Sequence, residues 1–166
     1  MKSYMILKTN LLGELLLTAE AAHLTGLYFN DCDHSALPSR GANLDPANSV
    51  LRLAADELQE FLAGTRTTFT VPLSYAGTDF QEKVWSEIAR IPFGETITYS
   101  DLARRVHAAD AVRAVGTATG QNPIGIIIPC HRVMGKDGKL RGYAGGLERK
   151  RKLLGLETSL AGLRAA

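Results

Sequence analysis

Cysteine is scarce in this chain: Cys32 and Cys130 are the only two thiols in 166 residues. Two cysteines do not make the disulfide framework of a small secreted domain, so both are read as free thiols. Long apolar stretches are missing too. No run approaches the about 18 residues needed to cross a bilayer. The opening segment, residues 1–7, is too short in apolar residues for a signal peptide and lacks a small-residue cleavage site. A cytoplasmic location with no membrane partner is expected. Metal-ligand spacing is absent as well. His23, Asp31, Cys32, Asp33 and His34 are the only candidates in the N-terminal part, and they contain no Cys-x-x-Cys pair, so no metal is expected. Charge of either sign is modest, at a net +2. Its distribution is uneven, however. Residues 102–166 hold 12 Lys and Arg against 4 Asp and Glu, which suits a surface that faces phosphates.

What is present is an ordinary globular composition, 45% hydrophobic and 22% charged, enough for a substantial core. Residues 4–9, 14–19 and 24–29 read as three short strands separated by turn signals. Residues 30–47 read as a loop, and 48–63 as an amphipathic helix with Val50, Leu53, Ala54, Leu58, Phe61 and Leu62 on one side and Gly64 as its stop. Residues 67–73 alternate and are rich in β-branched residues, which predicts a fourth strand. Beyond this the chain turns helical. A helix over 80–90 is expected with Asp79 as N-cap, ended by Pro92-Phe93-Gly94. Thr98 or Ser100 can start a helix running to about His107, and Asp110 can cap another over about 110–119. That pair makes a helix-turn-helix pattern, weak evidence on length alone. Lys136-Asp137-Gly138 signals a hairpin turn, and a last helix covers about 147–157 with a frayed tail after Thr158. The expected fold class is α+β. It comprises a small N-terminal sheet domain over 1–76 followed by a mainly helical C-terminal domain over 77–166 with a helix-turn-helix.

The chemistry concentrates at Pro129-Cys130-His131-Arg132, reached through the apolar run Ile124-Gly125-Ile126-Ile127-Ile128. This run reads as a buried strand that ends at the motif. A thiol is a strong nucleophile only as thiolate, and a neighbouring imidazole can take its proton. Adjacent side chains on a regular strand point to opposite faces. For Cys130 and His131 to cooperate the backbone must leave strand geometry there, and Pro129, without an amide donor and with a fixed φ, suits that need. Taken alone, Cys130 is as readily a buried structural cysteine as a nucleophile.

Several further blocks stand in order around this motif. They are Thr78-Asp79-Phe80-Gln81 with Val84-Trp85, Ile91-Pro92-Phe93-Gly94-Glu95-Thr96, Ala111-Val112-Arg113-Ala114-Val115-Gly116, and Asn122-Pro123-Ile124. After the Cys-His turn come Gly142-Tyr143-Ala144-Gly145-Gly146 and Lys150 through Leu154 with Glu157. Together they resemble the O6-alkylguanine-DNA alkyltransferase (methylated-DNA–protein-cysteine methyltransferase) family, densely over about 77–157 and loosely over 1–76. The resemblance implies a DNA repair protein that moves an alkyl group from O6-alkylguanine in DNA onto its own Cys130, irreversibly and once per molecule, with no cofactor.

It also implies roles for single residues. His131 is the base, acting through a water, and Glu157 holds its tautomer as the third group of a relay. Tyr99 is implied to rotate the 3′ phosphate and to hydrogen-bond the flipped base. Arg113 is implied to fill the gap left by that base, with its helix in the minor groove of double-stranded DNA. Flipping itself costs a few kcal/mol, which a replacing cation offsets. Asn122 braces the turn toward the active-site loop. Gly116 and Gly120 allow close approach of backbone or DNA. Tyr143 and Ala144 form one wall of the pocket, with the Ala144 amide donating to the base oxygen. The carbonyls of Cys130 and Val133 are implied to accept from the guanine exocyclic amine, and Arg132 is read as a brace. A monomer is implied, with cooperative binding on DNA left open. The segment His107-Ala108-Ala109-Asp110 departs from the family's Gly-x-Pro between the two helices, which brings His107 toward phosphate. Two other readings compete: a non-enzymatic helix-turn-helix DNA-binding protein, and a cysteine hydrolase built on Cys130, His131 and Glu157.

Overall fold

Short alternating segments at the N-terminus and 3.6-residue periodicity beyond them lead to two units, Met1–Tyr75 and Ala76–Ala166. The structure is a computed structural model and describes residues 1–31, 41–140 and 142–165, with backbone alone for 163–165. Cys32, Asp33 and His34 lie outside the described residues. Among the described residues no group of three or more His, Cys, Asp or Glu could hold a metal ion, and no helix is long and apolar enough to cross a membrane.

In the first unit, strands β1 (Lys2–Thr9), β2 (Gly13–Glu20) and β3 (His23–Phe29) form an antiparallel meander. The two-residue β4 (Asn43–Leu44), which falls within the predicted loop, adds in parallel to β1, giving the order β3-β2-β1-β4. The central strand is the most apolar, and Leu15, Leu16, Leu17, Thr18 and Ala19 are all buried. Helix α1 (Ser49–Leu62) is capped by Asn48, whose Oδ1 accepts from the amides of Val50 and Leu51. It buries Leu51, Ala54, Ala55, Leu58 and Phe61. Each of the two leucines and the phenylalanine contributes about 1.5–3 kcal/mol of burial. The stripe is rotated from the predicted one: Leu53 is 39% exposed, and Leu51 and Ala55 point inward instead.

Residues 67–73 do not form the expected strand. The buried carboxylate of Glu57 accepts from the amides of Thr70 (3.0 and 3.1 Å) and Val71 (3.1 Å) and from the Thr70 hydroxyl. Those donors are therefore lost to a ladder, and Pro72 has none to give. A single bridge between Leu24 and Leu73 remains.

The second unit opens with α2 (Asp79–Ala89). Its cap is Thr78 rather than Asp79. The Gln81 amide donates to Thr78 Oγ1 (3.1 Å) while the Thr78 amide donates to Gln81 Oε1 (2.9 Å), a reciprocal capping box. α2 buries Val84, Trp85 and Ile88, and the Trp85 indole donates to the Ala118 carbonyl at 2.8 Å. Thr78→Ala is expected to cost about 1 kcal/mol of stability. Trp85, the only tryptophan, reports this directly through its fluorescence in a denaturant titration.

Next comes β5 (Ile97–Thr98), then α3 (Tyr99–Arg105) capped by Thr98, and α4 (Val112–Gly120). α3 and α4 are the expected helix-turn-helix pair. α4 begins two residues later than expected, and its N-cap is Ala111 with no side-chain bond, not Asp110. Asp110 falls in the turn that follows His107, which has φ +56°.

The run 124–128 is not a strand. Ile126 sits at φ +70°, and the bonds are local: the Ile127 amide to the Gly125 carbonyl, and the Ile128 amide to the Ile124 carbonyl. A buried turn leads into a single 3₁₀ turn at Cys130–Arg132 and then β6 (Val133–Met134), which pairs in parallel with β5. The turn at 136–138 is closed by the Gly138 amide donating to the Gly135 carbonyl. α5 (Leu147–Ala165) is longer than expected, and it carries straight through the segment read as a frayed tail.

Candidate active site

The 3₁₀ turn resolves the geometric difficulty of adjacent Cys and His. Neither side chain is on a strand, so both can face the same interior. Cys130, His131 and Arg132 are all buried in that turn. Asn122 shapes the approach. Its Nδ2 donates to the Ile128 carbonyl at 2.7 Å and its Oδ1 accepts from the Ile124 amide at 2.9 Å, so one side chain spans both ends of the buried turn.

Glu157 arrives from α5. Its Oε1 accepts from His131 Nε2 at 2.7 Å. Arg132 Nε donates to both carboxylate oxygens (3.1 and 2.9 Å), and its Nη2 donates to Oε1 at 2.8 Å. The guanidinium also donates from Nη1 to the Ile91 carbonyl at 2.6 Å and lies 5.8 Å from the Phe93 ring centroid. The Gly94 amide completes the carboxylate's surroundings at 3.4 Å. Gly94 has φ +80°, and a Cβ there would come within 2.7 Å of Ala161 Cβ. The turn closing α2 therefore needs glycine to reach α5 and the buried acid.

The electrostatics follow from burial. Glu157 feels a desolvation cost, but His131 and Arg132 outweigh it and hold its carboxyl below the usual carboxylate range. Burial pushes the His131 imidazole below its ordinary value, with Glu157 opposing. A neutral imidazole that donates from Nε2 to Glu157 leaves Nδ1 as the acceptor. Nδ1 is buried and makes no hydrogen bond to a described residue. Burial also raises the Cys130 thiol, while the Asn122 amide, the Lys150 ammonium and the backbone amides of Cys130 and His131 pull it back down. The resting site thus holds a thiol, a neutral base and a fixed carboxylate, the parts of an activated nucleophile.

The remaining expected residues lie on the surrounding elements. Tyr99 opens α3, half-buried, with burial raising its phenol. The Val133 carbonyl accepts from Lys150 Nζ at 2.6 Å. Tyr143 is half-buried and Ala144 exposed in the loop before α5, where the Gly146 amide donates to the Tyr143 carbonyl. Arg113 is exposed on α4 beside a groove lined also by Phe80, Gln81, Ala114, Thr117 and Gln121. At Gly116 an added Cβ would meet nothing nearer than Tyr99 Cδ1 at 3.9 Å, and at Gly120 nothing within 4 Å. Packing within the chain therefore does not require glycine at either position.

Lys150 was missed as a site residue. It is buried on α5 in line with Leu153 and Glu157, at spacings of three and seven residues. A lysine in register with the inward positions of a helix is the signal that could have found it.

Fold and site together define a protein that carries a buried cysteine–histidine turn, braced by a carboxylate, in the same unit as a helix-turn-helix. Comparison with known proteins is specific. Residues 3–75 match the ribonuclease-like domain of 6-O-methylguanine DNA methyltransferase, and residues 79–159 match its DNA-binding domain. The methylated-DNA–protein-cysteine methyltransferase of Mycobacterium tuberculosis (strain H37Rv) is 45% identical over 150 residues, covering 90% of this chain and 89% of that protein. The constitutive enzyme of that name from Bacillus subtilis is 43% identical over 148 residues, covering 88% and 90%. The crystal structure of M. tuberculosis OGT in complex with DNA superposes with a TM-score of 0.88 at 42% identity, over 95% of this chain and 94% of that one. This chain belongs to the 6-O-methylguanine DNA methyltransferase family.

Proposed function

We propose that this protein repairs DNA by taking the alkyl group of O6-alkylguanine onto Cys130. The observation that carries the reading is that Cys130 and His131 are buried side by side in one 3₁₀ turn, with His131 bonded to the buried Glu157 at 2.7 Å. His131 Nδ1 receives the thiol proton. The thiolate sulfur attacks the alkyl carbon, a C–S bond forms and the C–O6 bond breaks. The proton held on His131 passes to the departing guanine, which leaves neutral. The thioether offers no route back, so each molecule acts once. No step calls for a cofactor.

DNA is the partner. The basic balance of residues 102–166 supplies attraction to phosphate. A lesion stacked in a duplex is out of reach of a buried thiol, so the nucleotide is flipped. In this reading α4 lies in the minor groove, Arg113 takes the place of the extruded base, and Tyr99 meets the 3′ phosphate and the base. Tyr143 and Ala144 close one wall of the pocket. The Cys130 and Val133 carbonyls receive the guanine amine. Residues 1–76 act as a scaffold for this catalytic part. The protein acts as a monomer in the cytoplasm, where a reducing environment keeps the thiol free.

Arg113→Ala separates flipping from chemistry. Repair of duplex is expected to fall at least roughly tenfold, matching the loss of one cation that offsets unstacking, while reaction with free O6-benzylguanine is unchanged. Equal losses on both substrates would rule out the base-replacing role. The function as a whole is tested by titrating the protein with duplex carrying one labelled O6-methylguanine. Transfer is expected to stop at one methyl per molecule, and continued turnover or no transfer would contradict the proposal.

A further inference from the structure

Lys150 has no exposed surface, although it sits only three residues from the start of α5. Its Nζ donates to the Val133 carbonyl at 2.6 Å and lies 5.9 Å from the centroid of the Tyr99 ring. Burial lowers the ammonium to about 8, with Cys130 acting in the opposite sense. Keeping a cation here carries a desolvation penalty, and methionine would fill a similar volume without it. Stability alone therefore gives no reason for lysine at this position.

The ammonium favours the Cys130 thiolate, an effect that is the same whichever base is presented. It also holds the Val133 carbonyl. Val133 directly follows the Cys-His-Arg turn. Its amide donates back to the Cys130 carbonyl, its strand pairs with Ile97 of β5, and its own carbonyl oxygen is fixed by Lys150. A carbonyl oxygen has two lone pairs, and a donor on one of them sets the direction of the other. We propose that Lys150 is a positioning residue for base selectivity: it aims the Val133 carbonyl so that it accepts the 2-amino group of the target purine. The inference rests on the function proposed above, in which that carbonyl meets the guanine amine.

The consequence is a selectivity change rather than a simple loss of rate. A site built to receive an N–H rejects the analogue that lacks it, because the acceptor is left unpaired. Two duplexes serve as probes, one with O6-methylguanine and one with O6-methylhypoxanthine, which lacks the 2-amino group. Single-turnover methylation of Cys130 is followed by mass for the intact chain and for Lys150→Met.

Wild type is expected to prefer the 2-amino base by roughly tenfold, and Lys150→Met to narrow that preference to within about threefold, the scale of one lost hydrogen bond. Lys150→Arg keeps a charged donor and is expected to retain most of the preference. The ratio comes only from molecules that react, so a partly folded variant lowers both rates alike and leaves it readable. A Lys150→Met ratio equal to wild type overturns the proposal, as does a wild type that reacts equally with both bases. A wild type that methylates on neither base would instead sink the proposed function.

Discussion

Cys130→Ser protein is expected to bind alkylated duplex as tightly as wild type while its transfer rate falls at least roughly 10⁴-fold, the scale seen when a nucleophile is removed from an intact site. The thiol and hydroxyl are close in size, so the 3₁₀ turn and the Asn122 brace should survive. The difference is chemical. His131 is buried and its imidazole is pushed below its ordinary value, so it is a weak base. It can share the proton of a thiol but not that of a far less acidic hydroxyl. Gel-shift affinity and methyl transfer, measured side by side, check both halves. Wild-type transfer by the serine protein would show that the nucleophile lies elsewhere. Unchanged binding would leave the helix-turn-helix surface intact, as expected of a residue buried away from it.

Glu157→Gln is expected to destabilise the fold by about 3–5 kcal/mol, since it leaves the Arg132 guanidinium buried without its anion. Chemical denaturation at pH 7, followed by Trp85 fluorescence, gives the difference. A change under 1 kcal/mol would mean that the ion pair is not what holds the turn to α5. The same site predicts acid lability. His131 is depressed from an ordinary value of 6.5, so the unfolded chain binds the proton more readily, and stability declines as the pH drops below about 6.5. Glu157 is depressed from 4.5, so its contribution is complete above that pH and is lost as the pH falls through the folded-state value. The two losses run in the same direction. In Glu157→Gln the lower one should vanish, leaving a shallower decline below pH 4.5.

Elements with one clear period were legible. The three N-terminal strands, α1, α2 and the helix-turn-helix could all be read to within a few residues. So was the need for a backbone departure at Cys130, because strand geometry cannot bring adjacent side chains together. What escaped the sequence reading came from tertiary capture of backbone groups. Residues 67–73 look like a strand, yet the Glu57 carboxylate takes the amides that a ladder would use. The run 124–128 looks like a buried strand, yet Asn122 and local bonds satisfy its ends, and Ile126 adopts a left-handed conformation that no apolar pattern announces. Asp79 and Asp110 are both plausible caps, and each lost to a neighbour. Thr78 won through its reciprocal bond with Gln81. Ala111 won with no side-chain bond at all. Lys150 enters the sequence reading only within a block that carries the resemblance and is given no role there, although its spacing of three and seven residues from Leu153 and Glu157 places it on their inward line.

The central claim is that the Cys130 sulfur receives the alkyl group. Intact-mass and peptide-mass analysis after mixing reduced, folded protein with duplex carrying one O6-methylguanine tests it most directly. One added methyl per molecule, located on Cys130, is the predicted result. A methyl on another residue, or an unmodified chain beside an intact lesion, would contradict it.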